Sequence, residues 1–491
     1  MVSALAVAQY MPEANIVELP QEDIKWCTVA LSEVLNTGKR LEASVFEVEG
    51  RHIRESIENC RWGTVALSDP EAGIISRAYY PGRFKRIYCS AENGVPFYLP
   101  SQMTDIYPKP EKYISPLTKC DISNLRVKYG DLLLTRSGTI GNVTVVSRTL
   151  ENAVFSDDVI RITPKTPIDL GYLYTYFRSA YGNTILQTNK YGSVIQHIEP
   201  EHLLNIRVPN VPDEIKSKIN NLIARSYDFR DTSNELIDQA TAMLMEALSL
   251  SPLSELKQTQ FNNKYETNNY SIKLSELDGR LDCSYHVPIV QAITKHLSQY
   301  ANEVLTVGDA QICKKIILPG RFKRVYVGEG QGYVFFSGKS IMELDPYDKK
   351  YLSFSQHECR IKEQLTIHKN MILVTCSGTI GKVAFVPQNW DGWAMTHDII
   401  RLVPNEDLMG YLYIWLQSAY ANCLISAKTY GSVVPHIEKT HIADVVVPLL
   451  ADKYVQKKIN NLAIEANELR FGAYKLEQEA LRIMNEEVIM P

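Results

Sequence analysis

The chain has 491 residues, 45% of them hydrophobic and 22% charged, with a formal net charge of −4; this composition is typical of a globular protein, and the length allows two to four domains. It contains no apolar run of the roughly 18–20 residues that cross a membrane, no signal-peptide pattern at its N-terminus, and no metal-ligand spacing among its nine cysteines. We therefore expect a cytoplasmic protein with reduced thiols that does not coat DNA nonspecifically, although the charge is compatible with local basic patches.

A tandem duplication accounts for most of the sequence. The hexapeptide PGRFKR occurs at Pro81–Arg86 and again at Pro319–Arg324, 238 positions later. Further motifs recur in the same order at offsets of 239 to 240: SGTIG at Ser137 and Ser377, DVIRI at Asp158 and DIIRL at Asp398, YGSVIQHIE at Tyr191 and YGSVVPHIE at Tyr430, and KINNL at Lys218 and Lys458. So constant an offset indicates two copies of one domain and excludes a solenoid of short repeats.

Within each copy, strands and helices are both predicted. DLLLT, SGTIG and NVTVVS predict a strand, a Gly-rich turn and a second strand, and MILVT, SGTIG and KVAFVP repeat that pattern. The apolar and aromatic segments that begin at Gly171 and Gly410 each predict a buried helix, and NIRVP and DVVVP each predict a short strand ended by proline. Each copy is therefore predicted to be a mixed α+β domain of about 200 residues.

A long amphipathic helix is predicted after each copy. Apolar and small residues recur at alternating spacings of four and three from Ile215 to Ala247 and from Val455 to Ile483, and the intervening residues are polar or charged. This heptad pattern predicts a coiled coil. Its seam includes Ile219, Leu222, Phe229, Leu236, Ile459, Leu462, Leu469 and Leu476. We further expect the small residues Ala466, Ala473 and Ala480 to pack against the large residues Phe229, Leu236 and Met243.

The order of these elements resembles the specificity (S) subunit of type I restriction–modification systems. The resemblance covers nearly the whole chain and depends on LLLTRSGTIGNV, YGSVIQHIE, the heptad helix and their repetition. It implies an α+β fold with two target-recognition domains at 1–210 and 251–450, each followed by a helix, at 211–250 and 451–491. The two helices would pair antiparallel as a spacer, and each domain would read one half of a bipartite site on double-stranded DNA.

The helix length is consistent with that arrangement. A helix of about 36 residues spans roughly 54 Å at 1.5 Å per residue, which corresponds to about 16 base pairs of duplex at 3.4 Å each. Antiparallel helices would place two tandem domains at opposite ends of this spacer. Because the copies have diverged, the two half-sites are expected to differ in sequence.

The duplicated basic turns are the first candidates for DNA contact. Arg83, Lys85 and Arg86 recur as Arg321, Lys323 and Arg324, and loop cations of this kind hold phosphates or read guanine. A solvated turn kept for folding is the alternative. Since both copies are identical, we expect phosphate contacts here. We expect base selection where the copies diverge, as in YLPSQMTDIY against FFSGKSIMEL, or Arg136 against Cys376.

Two further motifs allow more than one interpretation. SGTIG lacks the Lys-Ser/Thr of a P-loop, so a tight turn explains its glycines, with the DNA backbone as a possible neighbour. YGSVIQHI and YGSVVPHI invite a Ser-His triad with Asp158 or Asp398, but duplicated active sites on a coiled-coil scaffold argue against catalysis, and His197 and His436 fit a buried role as well as DNA contact. The remaining predicted DNA contacts are Ser137, Lys190, Tyr191, Ser193, Ser377, Lys428, Tyr430 and Ser432.

The chain carries no methyltransferase, cofactor-loop or nuclease motif that we can identify. The resemblance therefore implies a noncatalytic subunit that binds two methyltransferase (M) subunits, with restriction (R) subunits joining through them. S-adenosylmethionine would belong to the methyltransferase, and this chain would need no cofactor. The open alternatives are a specificity subunit of a type IIB-like enzyme, a coiled-coil protein scaffold, and an enzyme that uses the repeated Ser and His.

Overall fold

The computed structural model describes residues 28–36, 41, 43–192, 196–260, 270–277, 279–347, 349–356 and 358–490. They form two α+β domains of the same architecture, and a long helix follows each domain. None of the described helices is both long enough and apolar enough to cross a membrane.

The first domain contains both strands and helices, as the sequence predicts. Its strands are Thr64–Ala66, Ile75–Tyr79, Val95–Tyr98, Lys112–Ile114, Leu132–Thr135, Val143–Val145, Val154–Phe155, Val159–Pro164 and Arg207–Pro209. Its α-helices are Leu31–Asn36, Val48–Glu58, Pro167–Arg178, Ala180–Thr188 and Pro200–Leu204. The first long helix, Asp213–Ala247, follows directly.

The second domain repeats this order. Its strands are Glu303–Thr306, Cys313–Ile317, Tyr326–Val327, Gly332–Phe336, Lys350–Ser353, Ile372–Thr375, Val383–Phe385, Ala394–Met395, Ile399–Pro404 and Val446–Leu449. Its main helices are Leu253–Gln260, Pro288–Tyr300, Met409–Gln417, Ala419–Ala427 and Lys439–Ala443. The second long helix, Lys453–Ile483, runs on into a π-helical turn at Met484–Ile489.

A four-stranded antiparallel sheet forms the centre of each domain. In the first domain its middle strands are Val159–Pro164 and Leu132–Thr135, and the latter pairs with Val143–Val145 across the Gly-rich turn. Leu132 lies opposite Val145, as Ile372 lies opposite Phe385 in the second copy. Leu132–Thr135 and its equivalent Ile372–Thr375 are buried on both faces. This explains why their residues are continuously apolar and do not alternate with polar ones.

The segments that begin at Gly171 and Gly410 are each two helices, where the sequence predicts one. Ser179 and Ser418 interrupt them with extended backbone at ψ 156° and 152°. Each serine ends one helix, and its hydroxyl caps the next by accepting from a backbone N–H three residues on, at 3.2 Å and 3.1 Å. Serine is a preferred residue at such an N-cap because its side chain replaces the missing helical acceptor.

The duplicated KINNL motif has a structural role in this fold. Asn220 accepts a hydrogen bond from the backbone N–H of Gly171 at 3.0 Å, and Asn460 accepts from Gly410 at 2.8 Å. A Cβ at Gly410 would lie 2.1 Å from the carbonyl oxygen of Asn460. The repeated glycine and asparagine therefore let a domain helix contact the long helix closely.

The two long helices pair antiparallel, as predicted. Near the start of the first helix, Lys218 reaches Glu487 at 3.2 Å. Further along, Ser226 donates to the carbonyl of Ala473 at 2.8 Å, and Arg470 donates to Ser233 at 3.4 Å. Partner numbers fall as residue numbers rise, which only an antiparallel pair produces. We call these helices the spacer helices.

The predicted seam is buried with a period of seven. In the first spacer helix Ile219, Ser226, Ser233 and Ala240 are fully buried; in the second, Ile459, Ala466, Ala473 and Ala480 are fully buried. Leu462 is also buried, whereas Leu222, Phe229, Leu236, Leu469 and Leu476 are half-buried. The ring of Phe229 lies against Gly472, since a Cβ there would be 2.9 Å from Cδ2. This contact places a large residue against a small one, but the small residue is Gly472 and not one of the three alanines named from the sequence.

A second buried stripe on each spacer helix is polar. Asp231 accepts from the hydroxyl and backbone groups of Ser147 and Thr149, and Asn467 donates to the carbonyl of Val386 at 3.0 Å. These side chains form hydrogen bonds with polar groups in loops of the domains, and those groups would be costly to bury without partners. Heptad analysis missed them because they are neither apolar nor on the seam.

The two domains also touch each other on the pseudo-twofold axis. Asp105 and Glu343, which are equivalent residues of the two copies, form an antiparallel β-bridge, and the backbone N–H of Ile106 donates to Met342 at 2.8 Å. These residues belong to the divergent segments YLPSQMTDIY and FFSGKSIMEL. Part of each segment is therefore used for the domain contact.

This contact should weaken as the pH rises. Burial raises the pKa of Asp105 from 3.8 to about 7, with Glu343 and Glu111 adding to the rise and Lys382 opposing it. Burial also raises the pKa of Glu343. A carboxyl whose pKa is higher in the folded state than in the unfolded state loses stability as it ionises, here between pH 4 and pH 7.

We expect the free-energy advantage of D105N over the parent to grow by about 2–3 kcal/mol between pH 5 and pH 8, since the pKa of the folded carboxyl is about 7 and each pH unit between 5 and 7 is worth about 1.4 kcal/mol. Urea unfolding at the two pH values measures it. E343Q should change stability in the same direction because that carboxyl lies in the same contact. A D105N effect that is independent of pH would contradict the assignment.

Candidate nucleic-acid interface

The fold brings the repeated motifs of each copy together. Ser137, in the Gly-rich turn, forms a backbone bridge with His197, and His197 pairs in turn with Tyr191. In the second copy Ser377 pairs with His436, and His436 pairs with Tyr430. These bridges join the SGTIG and YGS…HIE motifs, which are separated by more than 50 residues in the sequence, into one surface.

The basic turns alternate between outward and inward side chains. Arg83 and Lys85 are exposed, whereas Phe84 and Arg86 are half-buried. The ring of Phe84 packs edge-on against Phe97, with 6.5 Å between centroids. In the second copy Arg321 and Lys323 are likewise exposed around a half-buried Phe322. Each turn is therefore anchored by its phenylalanine and presents at least two cations to solvent, and Arg324 of the second turn is exposed as well.

The third cation of each turn contacts its own domain. Arg86 forms ion pairs with Asp157 at 2.5 Å and Asp158 at 3.2 Å, and the pKa of its guanidinium is raised because these carboxylates outweigh its burial. Arg324 donates instead to Thr396 at 3.2 Å and to His397 at 3.4 Å. A phosphate contact by Arg86 would have to compete with two internal carboxylates.

Arg136 is buried, and an internal ion pair holds it. Its side chain is 5% exposed, its Nε donates to Glu199 at 3.4 Å, and its Nη1 lies 3.7 Å from Asp158. The guanidinium stacks over the ring of Tyr80 at 4.3 Å. Base reading by Arg136 would require these contacts to break, so this arrangement gives the side chain a structural role that the sequence did not suggest.

The corresponding region of the second domain is open. Cys376 replaces Arg136, and Leu318 replaces Tyr80. A cleft of about 320 Å³ lies here, and Arg321, Tyr430 and Glu438 are among its lining residues. We call it the second-domain cleft. Burial raises the pKa of the Cys376 thiol to about 12, so this thiol is protonated at neutral pH.

Both Gly-rich turns open into a larger cleft between the domains. This central cleft has a volume of about 870 Å³, and Thr139 and Asn142 of the first copy face Ser377, Thr379 and Lys382 of the second across it. An ion pair of 2.8 Å between Lys382 and Glu111 crosses from one domain to the other. Equivalent turns of the two copies thus line one shared space, as the pseudo-twofold requires.

Residues 84–242 and 332–461 both match the family model of the type I restriction modification DNA specificity domain. The two matches cover more than half of the chain, and each spans the SGTIG and YGS…HIE motifs of one copy. The chain belongs to this family. It carries two specificity domains, and the resemblance drawn from the sequence is confirmed.

Solved structures of type I systems are similar to this specificity chain at low identity. The S subunit from M. genitalium is 12% identical over 88% of this chain and 96% of its own, with a TM-score of 0.33. The HsdS subunit from Thermoanaerobacter tengcongensis is 13% identical over 87% and 96%, with a TM-score of 0.26. A structure described for complex assembly and conformational transition of the type I R-M system is 15% identical over 86% and 97%, also with a TM-score of 0.26. No curated protein matches the chain.

The YGS…HIE motif of each specificity domain is built around a tyrosine. Tyr191 donates its hydroxyl to Glu199, and Tyr430 donates to Glu438. Ser432 is exposed, whereas Ser193 lies outside the described residues. Lys190 and Lys428 are half-buried beside this motif. DNA contact by these residues stays a prediction.

His197 and His436, the histidines of the two YGS…HIE motifs, are half-buried. The backbone of His197 pairs with Tyr191, and its Nδ1 is buried without a hydrogen-bond partner among the described residues. No hydrogen bond joins Ser432 to His436 in the described part of the second domain. The geometry therefore gives the Ser-His alternative no support.

Sequence reasoning missed two buried arginines in the specificity domains. Arg161 and Arg401, in the repeated DVIRI and DIIRL, are fully buried and donate to backbone carbonyls. Burial lowers the pKa of Arg161 to about 10 and that of Arg401 to about 9. Their exact repetition inside a buried strand was the available signal, since an invariant charge there needs an internal partner.

Proposed function

We propose that this chain is the noncatalytic subunit of a type I restriction–modification complex that reads a bipartite, asymmetric DNA site. Each specificity domain reads one half-site, and the spacer helices set the gap between them. The arrangement of two homologous domains about a pseudo-twofold axis on antiparallel helices is the observation that carries this proposal, because a duplex with two separated half-sites has the matching symmetry.

The exposed cations support a division between positioning and reading. Arg83, Lys85, Arg321 and Lys323 project from phenylalanine-anchored turns that are identical in both copies. Phosphates are the same at every base pair, so identical turns suit phosphate contacts. The copies differ at Arg136 and Cys376, and a difference of this kind suits two unlike half-sites.

The spacer helices also suit the proposed partners. Each helix keeps an exposed charged face beside its buried seam and polar stripe. We propose that two methyltransferase subunits bind there, that restriction subunits join through them, and that S-adenosylmethionine is bound by the methyltransferase in the cytoplasm of a prokaryotic cell.

Methylome sequencing of a host with and without this gene tests the function. A bipartite methylated motif that disappears with the gene is the expected result. A coiled-coil scaffold would leave the methylome unchanged. A partner chain that carries both methyltransferase and nuclease motifs would identify a type IIB-like enzyme, and full function in a variant with both S193A and S432A would exclude the Ser-His enzyme.

The basic turns give a quantitative prediction. Replacing Arg83 and Lys85 by alanine should weaken binding to all DNA sequences and lower the slope of log K against log salt by about 0.9 for each lost phosphate contact. Filter binding at several salt concentrations measures this slope. Arg321 and Lys323 should behave in the same way.

R225A serves as the control in filter binding of this chain without methyltransferase subunits, because Arg225 is an exposed arginine on the first spacer helix and not in the turns. Its salt slope should equal that of the parent. A loss of affinity restricted to particular bases would show that the turns read sequence, and an unchanged slope would show that they are solvated loops.

A further inference from the structure

The two specificity domains differ at one equivalent place. A side chain fills this space in the first domain, and the space is open in the second. In the first domain the side chain of Arg136 fills the space, stacked on Tyr80 and paired with Glu199 and Asp158. In the second domain Cys376 and Leu318 stand in place of the two large residues and border the second-domain cleft. Two substitutions from large to small side chains therefore account for the opening.

The substitution of Cys376 for arginine also removes a cation from two carboxylates. Glu438 accepts a hydrogen bond from Tyr430, and among the described residues no arginine pairs with it as Arg136 pairs with Glu199. Asp398 contacts the hydroxyl of Thr396 at 3.3 Å and His397 at 3.4 Å, and its side chain is 42% exposed. Both carboxylates line the cleft.

The imidazole beside these carboxylates carries no positive charge at neutral pH, although three arginines lie near it. Burial lowers the pKa of His397, and Arg324, Arg321 and Arg360 lower it further against the opposing effect of Asp398, so this imidazole is neutral at pH 7. Arg321 is exposed and is one of the residues that line the cleft. The cleft thus combines two carboxylate acceptors with an exposed cation.

We propose that the second-domain cleft binds the exocyclic amino edge of a cytosine or an adenine in the second half-site. Carboxylates accept hydrogen bonds from the N4 amino group of cytosine, and adenine offers an equivalent N6 amino group; thymine offers only a carbonyl oxygen and a methyl group in the major groove. Tyr430, which is 41% exposed at the cleft, supplies a ring surface for the base, and Arg321 is placed for the neighbouring phosphate.

This inference rests on the proposed function and makes residue 376 a determinant of specificity. The first domain cannot read an amino group in the same way because Arg136 occupies the space and neutralises Glu199. An arginine at position 376 should fold, since Glu438 and Asp398 correspond to the two carboxylates that hold Arg136. C376R should therefore close the cleft by forming the ion pairs already present in the first domain.

The test compares C376R with C376S, which keeps the cleft open, in the chain together with the subunits that purify with it. The DNA probes are duplexes that carry the methylated motif with each base pair of the two half-sites exchanged in turn. The parent and C376S should lose roughly 10-fold or more in affinity when one particular base pair of the second half-site is exchanged, because the exchange moves the amino group away from the carboxylates. C376R should bind that exchanged duplex and the original equally well.

The identity of the sensitive pair distinguishes cytosine from adenine. E438Q provides a second variant that keeps the size of the side chain, and it should also reduce discrimination at that pair. The proposal is overturned if C376R and E438Q keep the parent's discrimination throughout the second half-site, or if the altered pair lies in the first half-site. A parent complex without any sequence preference would instead refute the proposed function.

Discussion

Replacing Glu477 by alanine should destabilise the protein by about 3–5 kcal/mol, which is the usual cost of removing one partner of a buried ion pair. Glu477 lies in the second spacer helix with 2% of its side chain exposed. It pairs with Arg230 of the first spacer helix and with Arg178 of the first domain at 3.3 Å, and it accepts from the hydroxyl of Tyr174 at 2.8 Å. E477A would leave two buried guanidinium groups without this carboxylate.

The same network links both domains, so the loss should extend beyond the helix. Arg178 also pairs with Asp345 of the second domain at 2.9 Å. Burial opposes ionisation of Glu477, but Arg230 and Arg178 outweigh it and lower the pKa of the carboxyl. Its contribution should therefore be present at neutral pH and be lost as the pH falls below the ordinary glutamate range.

Urea unfolding measures the E477A effect, with E487A as the matched control. Glu487 makes an exposed ion pair with Lys218 just beyond the same helix, and removing an exposed pair costs less than about 1 kcal/mol. The loss of stability in E477Q should lie between the losses in E477A and E487A, because glutamine keeps an acceptor for Tyr174 but lacks the charge. An E477A variant within 1 kcal/mol of the parent would contradict the assigned role of the network.

Lengthening both spacer helices by one heptad should lengthen the gap of the recognised site and leave both half-sites unchanged. Seven residues add about 10.5 Å, which is roughly three base pairs of rise at 3.4 Å each. The insertions belong after Thr232 and after Gly472, where the pseudo-twofold axis crosses the helices. The methylated motif of the variant is the measurement.

Both helices must be lengthened because they pair antiparallel with each other. A single insertion would move Arg230 out of register with Glu477 and shift half of the seam, so we expect it to destabilise the chain without giving a defined new gap. Even paired insertions should separate Asp105 from Glu343 and lower stability. Altered bases in either half-site would show that spacing and reading are not separable.

Exchange of residues 1–210 for the equivalent domain of a related subunit should change one half-site. The other half-site and the length of the gap should stay unchanged. The exchanged domain must retain partners for the domain contact, because Arg178 and Ile106 reach the second domain. A matched exchange that restores these residues separates an effect on specificity from one on stability. Changes in both half-sites would indicate that the domains read DNA jointly.

The sequence by itself determined the architecture of this protein. The near-constant offset between repeated motifs established two homologous domains, apolar runs around SGTIG located the central strands, and the heptad pattern located the spacer helices. The strand and helix patterns are local and depend on residues close together in the chain, and the repeat is visible because each copy carries the same short motifs in the same order. The antiparallel pairing came from the family resemblance, and the contacts between Ser226 and Ala473 and between Ser233 and Arg470 confirm it.

Only the tertiary structure decided which polar residues are available for DNA. Arg136 pairs with Glu199, which is 63 residues away in the sequence, and Glu477 pairs with Arg178, which is 299 residues away. No local sequence pattern predicts such partners. The same is true of Arg161, whose carbonyl partners include Leu125 of a distant loop. Burial of a charge is stable only with its partners in place. The same basic hexapeptide therefore holds Arg86 in an internal ion pair in the first domain and leaves Arg324 exposed in the second.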